Sequence, residues 1–112
     1  MPNNNSDLSA VFHALADPTR RAILAKLALG PMTVSDLAQE HDMALPSFTQ
    51  HLKVLEKCGA VHSQKSGRVR TYELTPEPLA DAQSWIDQQR HLWTQRFDQL
   101  ETYLETFTEP KK

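Results

Sequence analysis

A cluster of positive charge lies in the middle of this sequence. The whole chain of 112 residues has a formal net charge of -2, yet between residues 43 and 72 five basic residues accompany a single acidic one, Glu56. The five basic residues are Lys53, Lys57, Lys65, Arg68 and Arg70. Because ammonium and guanidinium groups bind phosphates, this distribution favours a polyanionic partner that the average charge does not predict.

The first half of this basic segment has the pattern of an amphipathic helix that ends near Gly59. At about 100° per residue, one side of the helix gathers the apolar residues Leu45, Phe48, Leu52 and Leu55. The opposite and flanking positions are Pro46, Ser47, Thr49, Gln50 and Lys53. A glutamine can pair with adenine, hydroxyl groups can bond bases or phosphates, and a lysine fits a phosphate. We therefore predict that this face contacts DNA, the alternative being an ordinary solvated helix face.

The second half of the basic segment alternates with a period of two from Ala60 onwards. This pattern predicts a β-hairpin over about residues 60–74, with Ser66 and Gly67 at its turn. The cations on or beside the hairpin turn are Lys65, Arg68 and Arg70, which we predict to contact DNA. Arg68 is the best candidate for a minor groove, because it follows the tip directly. The alternative for these cations is protection of an exposed strand edge.

The residues before the basic segment predict the other half of a helix-turn-helix motif. Thr33 with Asp36 three residues later is a capping pattern, and it starts a short helix that runs to about His41. Only residues 42–44 separate this helix from the next one, so we predict a helix-turn-helix over about residues 33–58. An earlier helix begins at Asp17 and Pro18 and buries one face. That buried face is Ile23, Leu24 and Leu27.

Three polar residues near this motif have competing interpretations. Arg20 follows Asp17 by three residues, so it can either pair with that carboxylate or reach a phosphate, and the sequence does not decide between them. His51 lies nearer the apolar side of its helix, which favours a packing or backbone-bonding role. Cys58 is the only cysteine, so it cannot form an internal disulfide. We interpret it as a small residue at a helix end rather than as a redox sensor.

A long amphipathic helix is predicted from about residue 78 to residue 108. Apolar residues recur every seven positions along it, at Leu79, Ile86, Trp93, Leu100 and Phe107. Other apolar residues flank this stripe, and roughly thirty residues with so broad an apolar face exceed what one small domain can cover. We therefore predict that the helix packs against a second copy of the chain.

Length and composition set the remaining bounds. A chain of this size is expected to form one domain, which we place at residues 7–109 behind a disordered tail of residues 1–6. The sequence has no apolar run of about 18 residues and a polar start, so we expect a cytoplasmic protein that does not enter a membrane. We find no nucleophile with a partner base, no phosphate loop and no paired catalytic carboxylates. An enzyme and a cofactor are therefore not expected.

Four segments of the sequence together resemble the ArsR/SmtB family of bacterial winged helix-turn-helix repressors. They are HALADPTRRAILAKL at residues 13–27, MTVSDLAQ at 32–39, PSFTQHLKVLEKCGAV at 46–61 and SGRVRTYELTP at 66–76. The resemblance implies a mainly α fold with a small β-hairpin wing, in the order α-α-α-α-β-β-α. It also implies a homodimer joined through its first and last helices, which places one helix of each copy in a major groove and each wing on the backbone or minor groove. The predicted dimer interface is Leu8, Val11, Phe12, Leu79, Ile86, Trp93, Leu100 and Phe107.

The sequence departs from the best-known members of that family at their metal sites. The positions that match the cysteines of the arsenic and cadmium sensors are Thr33 and Ser35, which cannot supply a thiolate. His91 stands alone on the last helix, without the ligand spacing of the zinc sensors, and a dimer-bridging pair with Asp87 is the remaining alternative. Because these ligand positions are changed, we predict no metal site. A separate departure is Ala44, which stands where relatives often carry a serine that caps the recognition helix.

The sequence thus predicts a homodimeric repressor that binds an inverted-repeat operator in double-stranded DNA. We expect it either to repress its own operon or to answer a small-molecule or redox signal that the sequence does not identify. Two alternatives stay open. One is a metal-responsive repressor with an unusual site, and the other is a winged-helix module that binds a protein partner and not DNA.

Overall fold

The computed structural model describes the backbone of residues 4–108 and the side chains of residues 8–107. The elements are α1 (Asn4–Leu15), α2 (Pro18–Leu27), β1 (Met32–Thr33), α3 (Val34–Ala38), α4 (Leu45–Lys57), β2 (Val61–Ser66), β3 (Val69–Leu74) and α5 (Pro76–Thr108). Of the tail predicted over residues 1–6, the first three residues lie outside the described residues, and α1 begins at Asn4. The chain divides into two compact units, with the boundary between Ala82 and Gln83 inside α5.

The first unit has a single apolar core to which most of its elements contribute. The buried cluster is Ala14, Ile23, Leu24, Leu27, Leu37, Phe48, Leu52, Leu55, Ala60, Val61 and Tyr72. The predicted buried face of α2 is therefore confirmed. On the apolar side of α4, Phe48, Leu52 and Leu55 are fully buried, whereas Leu45 is 57% exposed. Leu45 is the first residue of α4, and helical side chains lean towards the N-terminus, so this one extends past the core.

The predicted hairpin is present and belongs to a three-stranded antiparallel sheet in the order β1-β3-β2. Its register pairs Val61 with Leu74 at the open end and Ser66 with Val69 at the turn. Gly67 has a φ of 63°, and a glycine with positive φ at the first turn position is typical of two-residue hairpins. Strand β1 was not predicted, because two residues are too few to show a period of two. It pairs with β3 beside the start of α3.

Side-chain caps fix the starts of α2 and α3. The Asp17 carboxylate accepts a hydrogen bond of 3.1 Å from the backbone amide of Arg20, and the Thr33 hydroxyl accepts one of 3.1 Å from the amide of Asp36. Both predicted caps are thus confirmed. Burial alone would raise the pKa of Asp17, but the amide of Arg20, the nearby His51 ring and the amide of Thr19 outweigh it and hold that pKa below its usual value.

The second unit begins within α5, which continues without interruption to Thr108. The helix thus confirms the long C-terminal element that the sequence predicts. Several large apolar side chains on it are exposed in the single chain, among them Trp93, Phe97, Leu100 and Phe107. No helix within the described residues is long and apolar enough to cross a membrane.

Candidate nucleic-acid interface

The helix-turn-helix consists of α3, the connection at residues 39–44, and α4. The connection is longer than the three residues predicted, because α3 ends at Ala38 rather than near His41. The His41 ring closes the gap by packing on Phe48, with ring centroids 5.2 Å apart, and Lys26 of α2 bonds Glu40 at 2.9 Å. These contacts tie the connection to α2 and α4.

Helix α4 presents the predicted polar face to solvent. Pro46, Ser47, Gln50 and Lys53 are exposed and Thr49 is half-buried, while Phe48, Leu52 and Leu55 are fully buried on the other side. The start of α4 has no side-chain cap, since Ala44 occupies the cap position and makes no such hydrogen bond. A helix held by its apolar side with a hydrogen-bonding face outward is suited to enter a groove.

The hairpin brings its three predicted cations to one end of the sheet. Lys65, Arg68 and Arg70 are all exposed, and Lys65 lies directly opposite Arg70 in the register of β2 and β3. Like charges in opposite positions repel each other and destabilise a strand pair. An anionic partner at this surface would relieve that repulsion.

A chain of hydrogen bonds connects α4 to the hairpin. Arg70 donates to the Ser63 hydroxyl at 2.8 Å, and that hydroxyl donates to the Glu56 carboxylate at 2.9 Å. Burial and the Glu56 charge raise the pKa of Tyr72, although Arg70 and Ser63 act against them. Ser63 thus links Glu56, the single acidic residue of the basic segment, to Arg70. The sequence did not single out Ser63, whose role depends on how the hairpin packs.

Arg20 connects α1, α2 and α4. Its guanidinium donates to the carbonyl of Ala14 at 2.8 Å, to the carbonyl of His13 at 3.0 Å and to Nδ1 of His51 at 3.1 Å. The two alternatives for Arg20 were an ion pair with Asp17 and a phosphate contact, and its side chain is instead bonded to neighbouring helices. His51 is half-buried, and its ring bonds the Arg20 side chain.

The predicted dimer residues differ in how much surface they leave open. Ile86, Trp93, Leu100 and Phe107 are exposed, with 61% of Trp93 and 68% of Phe107 open to solvent. Leu8, Phe12 and Leu79 are half-buried. Val11 is only 2% exposed within one copy, so it has almost no surface left to offer a partner. Its apolar spacing signalled burial correctly but could not tell internal packing from an interface.

The positions considered for metals and redox chemistry have other contacts. Thr33 caps α3 through its hydroxyl, and Ser35 is exposed on the same helix. The Asp87 carboxylate pairs with the Arg90 guanidinium, and Nε2 of Gln95 lies 3.4 Å from Nε2 of His91. The Cys58 thiol is half-buried and donates to the carbonyl of Leu55 at 3.3 Å. Among the side chains that the structure describes, no three histidine, cysteine or acidic residues form a group that could hold a metal ion.

The short helix pair, the outward polar face of α4 and the cationic hairpin define a winged helix-turn-helix domain. A family described as a helix-turn-helix domain matches residues 15–64. The chain is 41% identical over 83 residues to the HTH-type transcriptional regulator Rv2034 of Mycobacterium tuberculosis, covering 74% of this chain and 75% of that one. It is 34% identical over 79 residues to the transcriptional repressor SdpR of Bacillus subtilis, covering 70% and 88%.

Solved structures agree with this assignment. The crystal structure of an ArsR family transcriptional regulator, RHA00566, matches with a TM-score of 0.77 and 47% identity, covering 84% of this chain and 97% of that one. The homodimeric winged helix-turn-helix DNA-binding domain of Mb0332 from Mycobacterium bovis matches with a TM-score of 0.62 and 27% identity, covering 78% and 82%. The chain belongs to the ArsR family of winged helix-turn-helix transcriptional regulators, as its sequence motifs predicted.

Proposed function

We propose that this protein is a transcriptional repressor that binds an inverted-repeat DNA operator as a homodimer. The observation that carries the proposal is the division of α4 into a fully buried apolar side and an exposed polar side, next to a cationic hairpin. A relative named as a transcriptional repressor supports the repressor role. Since its partner is chromosomal DNA, the protein would work in the cytoplasm.

Each predicted residue then has a role that its chemistry suits. Gln50 reads a base edge, Ser47 and Thr49 bond bases or phosphates, and Lys53 neutralises a phosphate. On the wing, Arg68 follows the glycine turn and reaches the minor groove, while Lys65 binds the backbone. Arg70 binds phosphate as well, but its bond to Ser63 and the nearby Glu56 weaken its positive field. Pro46 contributes contact surface at the start of the helix.

The second copy is bound mainly through α5. Trp93 and Phe97 are both more than half exposed in the single chain, as are Leu100 and Phe107. Burying aromatic and aliphatic surface of this size is the main favourable term in protein association. The homodimeric state of a solved relative supports the same arrangement. The dimer would place its two recognition helices about 34 Å apart, one turn of DNA, so that each meets half of the inverted repeat.

Salt-dependent binding to the DNA upstream of the protein's own gene tests the proposal. If the dimer neutralises about six phosphates, its affinity should fall about a thousandfold between about 50 and 200 mM salt. Lys53→Gln should weaken binding and reduce the salt dependence. Absence of binding to that DNA and to random duplexes at low salt would contradict the proposal and favour a module that binds proteins.

A further inference from the structure

An exposed apolar side chain lies at the N-terminal end of α4, the proposed recognition helix. Leu45 is the first residue of α4, and 57% of its side chain is exposed although the other leucines of α4, Leu52 and Leu55, are fully buried. The residues that follow it, Pro46 and Ser47, are exposed as well. Leaving a leucine in water forgoes the free energy of burying it, so its contact with a partner would be favourable.

The position of Leu45 places it where bases are read. In helix-turn-helix proteins the N-terminal residues of the second helix contact base edges, and helical side chains lean towards that end. The first turn of α4 is Leu45, Pro46, Ser47 and Phe48, which carries no charge to repel or attract the backbone. Gln50 and Thr49 follow one turn later. Leu45 therefore lies one turn before Thr49 on the same helix edge, at the border between the apolar side of α4 and its predicted hydrogen-bonding face.

The chemistry of leucine limits what it can recognise there. It has no hydrogen-bond donor or acceptor, and the largest apolar group on the major-groove edges of the base pairs is the C5-methyl of thymine. Other base edges present polar atoms that would lose water against a leucine without gaining a partner. We infer that Leu45 packs on a thymine methyl and makes the protein select a T·A pair at one position of each half-site. This inference rests on the proposed function and adds a specificity-determining residue to it.

Removing single methyl groups from DNA tests the contact. A tight-binding duplex is selected from a random library, and each thymine is then replaced in turn by deoxyuridine, which lacks only the C5-methyl. At one position per half-site the wild-type protein should lose affinity about fourfold, and about fifteenfold when both half-sites are changed. At that same position Leu45→Ser should bind the thymine and uracil duplexes equally.

A second leucine serves as the control. Leu29 follows α2 and is 90% exposed, so Leu29→Ser removes the same side chain away from α4 and should keep the full response to deoxyuridine. Circular dichroism melting checks that both variants fold. The inference is overturned if the wild type ignores every methyl, or if Leu45→Ser keeps the wild-type sensitivity. Failure to bind any duplex would instead overturn the proposed function, and this inference with it.

Discussion

The guanidinium of Arg20 lies 3.1 Å from Nδ1 of His51 and joins α2 to α4. Arginine can only donate, so Nδ1 of His51 is the acceptor of this bond. The same guanidinium donates to the carbonyls of His13 and Ala14 at the end of α1. Arg20 therefore fixes α4 relative to α1 and α2, and we expect it to affect DNA binding only by positioning the recognition helix.

Replacing Arg20 should lower stability and DNA affinity together. Arg20→Ala removes three hydrogen bonds and leaves the partly buried carbonyl of Ala14 without this donor, so we expect a loss of about 1–2 kcal/mol in the free energy of unfolding. Urea unfolding measures it. Arg21→Ala is the matched control, because the Arg21 side chain makes one exposed bond, to the carbonyl of Leu15 at 2.7 Å. It should change stability by less than about 0.5 kcal/mol. Equal losses for both variants would contradict the positioning role.

The Asp17 cap predicts how stability depends on pH. Its pKa is lowered in the folded chain, so the stabilisation is fully present above the usual value of 3.8 and is lost as the pH falls through the lowered pKa. Asp17→Asn keeps a capping side chain but cannot titrate. Between pH 7 and pH 3 the melting temperature should fall less for Asp17→Asn than for the wild type. Parallel curves for the two proteins would show that the carboxylate contributes nothing.

Most of the fold could be predicted from the regular spacing of apolar residues along the sequence. The buried stripe of α2, the alternation of β2 and β3 and the long apolar face of α5 are repeats that report burial directly. The end of α3 was misplaced because a capping pattern defines where a helix starts and not where it stops. The exposure of Leu45 was not predicted, since angular position on a helix does not show whether the core extends to its first residue.

The exposed residues of the candidate site could be predicted from the sequence, but the tertiary contacts that hold them in place could not. The exposed face of α4 follows from its helical period, and the wing cations follow from the turn at Gly67. The contact between Arg20 and His51 joins residues 31 positions apart, and the bond from Ser63 to Glu56 depends on the angle between hairpin and helix. Both come from tertiary packing, for which a local pattern gives no signal.

Gln50 and Arg68 should differ in what they contribute to recognition. Gln50→Ala should reduce discrimination at one base pair by about 1–3 kcal/mol, because a lost base contact affects only its own position. Arg68→Ala should weaken all sequences and lower the salt dependence, because its charge is attracted by the phosphates that border the minor groove of every sequence. Fluorescence anisotropy against single-base operator variants measures both. Gln88→Ala, an exposed glutamine on α5, should leave the sequence preference unchanged. A uniform loss across all variants for Gln50→Ala would contradict base reading.

Metals should not release the protein from its operator. The two positions that match the family's cysteine ligands are Thr33 and Ser35, and the first of these hydroxyls is engaged as a helix cap. Zinc, cadmium and arsenite are titrated up to about 100 µM against the preformed complex, with a chelator added at the end to reverse any effect. We expect the bound fraction to stay constant. Release at micromolar metal, reversed by the chelator, would contradict this expectation and indicate a site shared between the two copies.

The central claim is that two copies, joined through α5, bind one operator. Sedimentation of the protein with a single operator duplex tests it directly, and the predicted result is two chains per duplex, with a dimer also present in the absence of DNA. Trp93→Glu places a charge in the apolar surface, so it should shift both the free and the DNA-bound protein towards monomer. Gln88→Glu adds the same charge outside the apolar stripe and should leave the dimer intact. A monomer that fails to bind the duplex even at low salt would contradict the account.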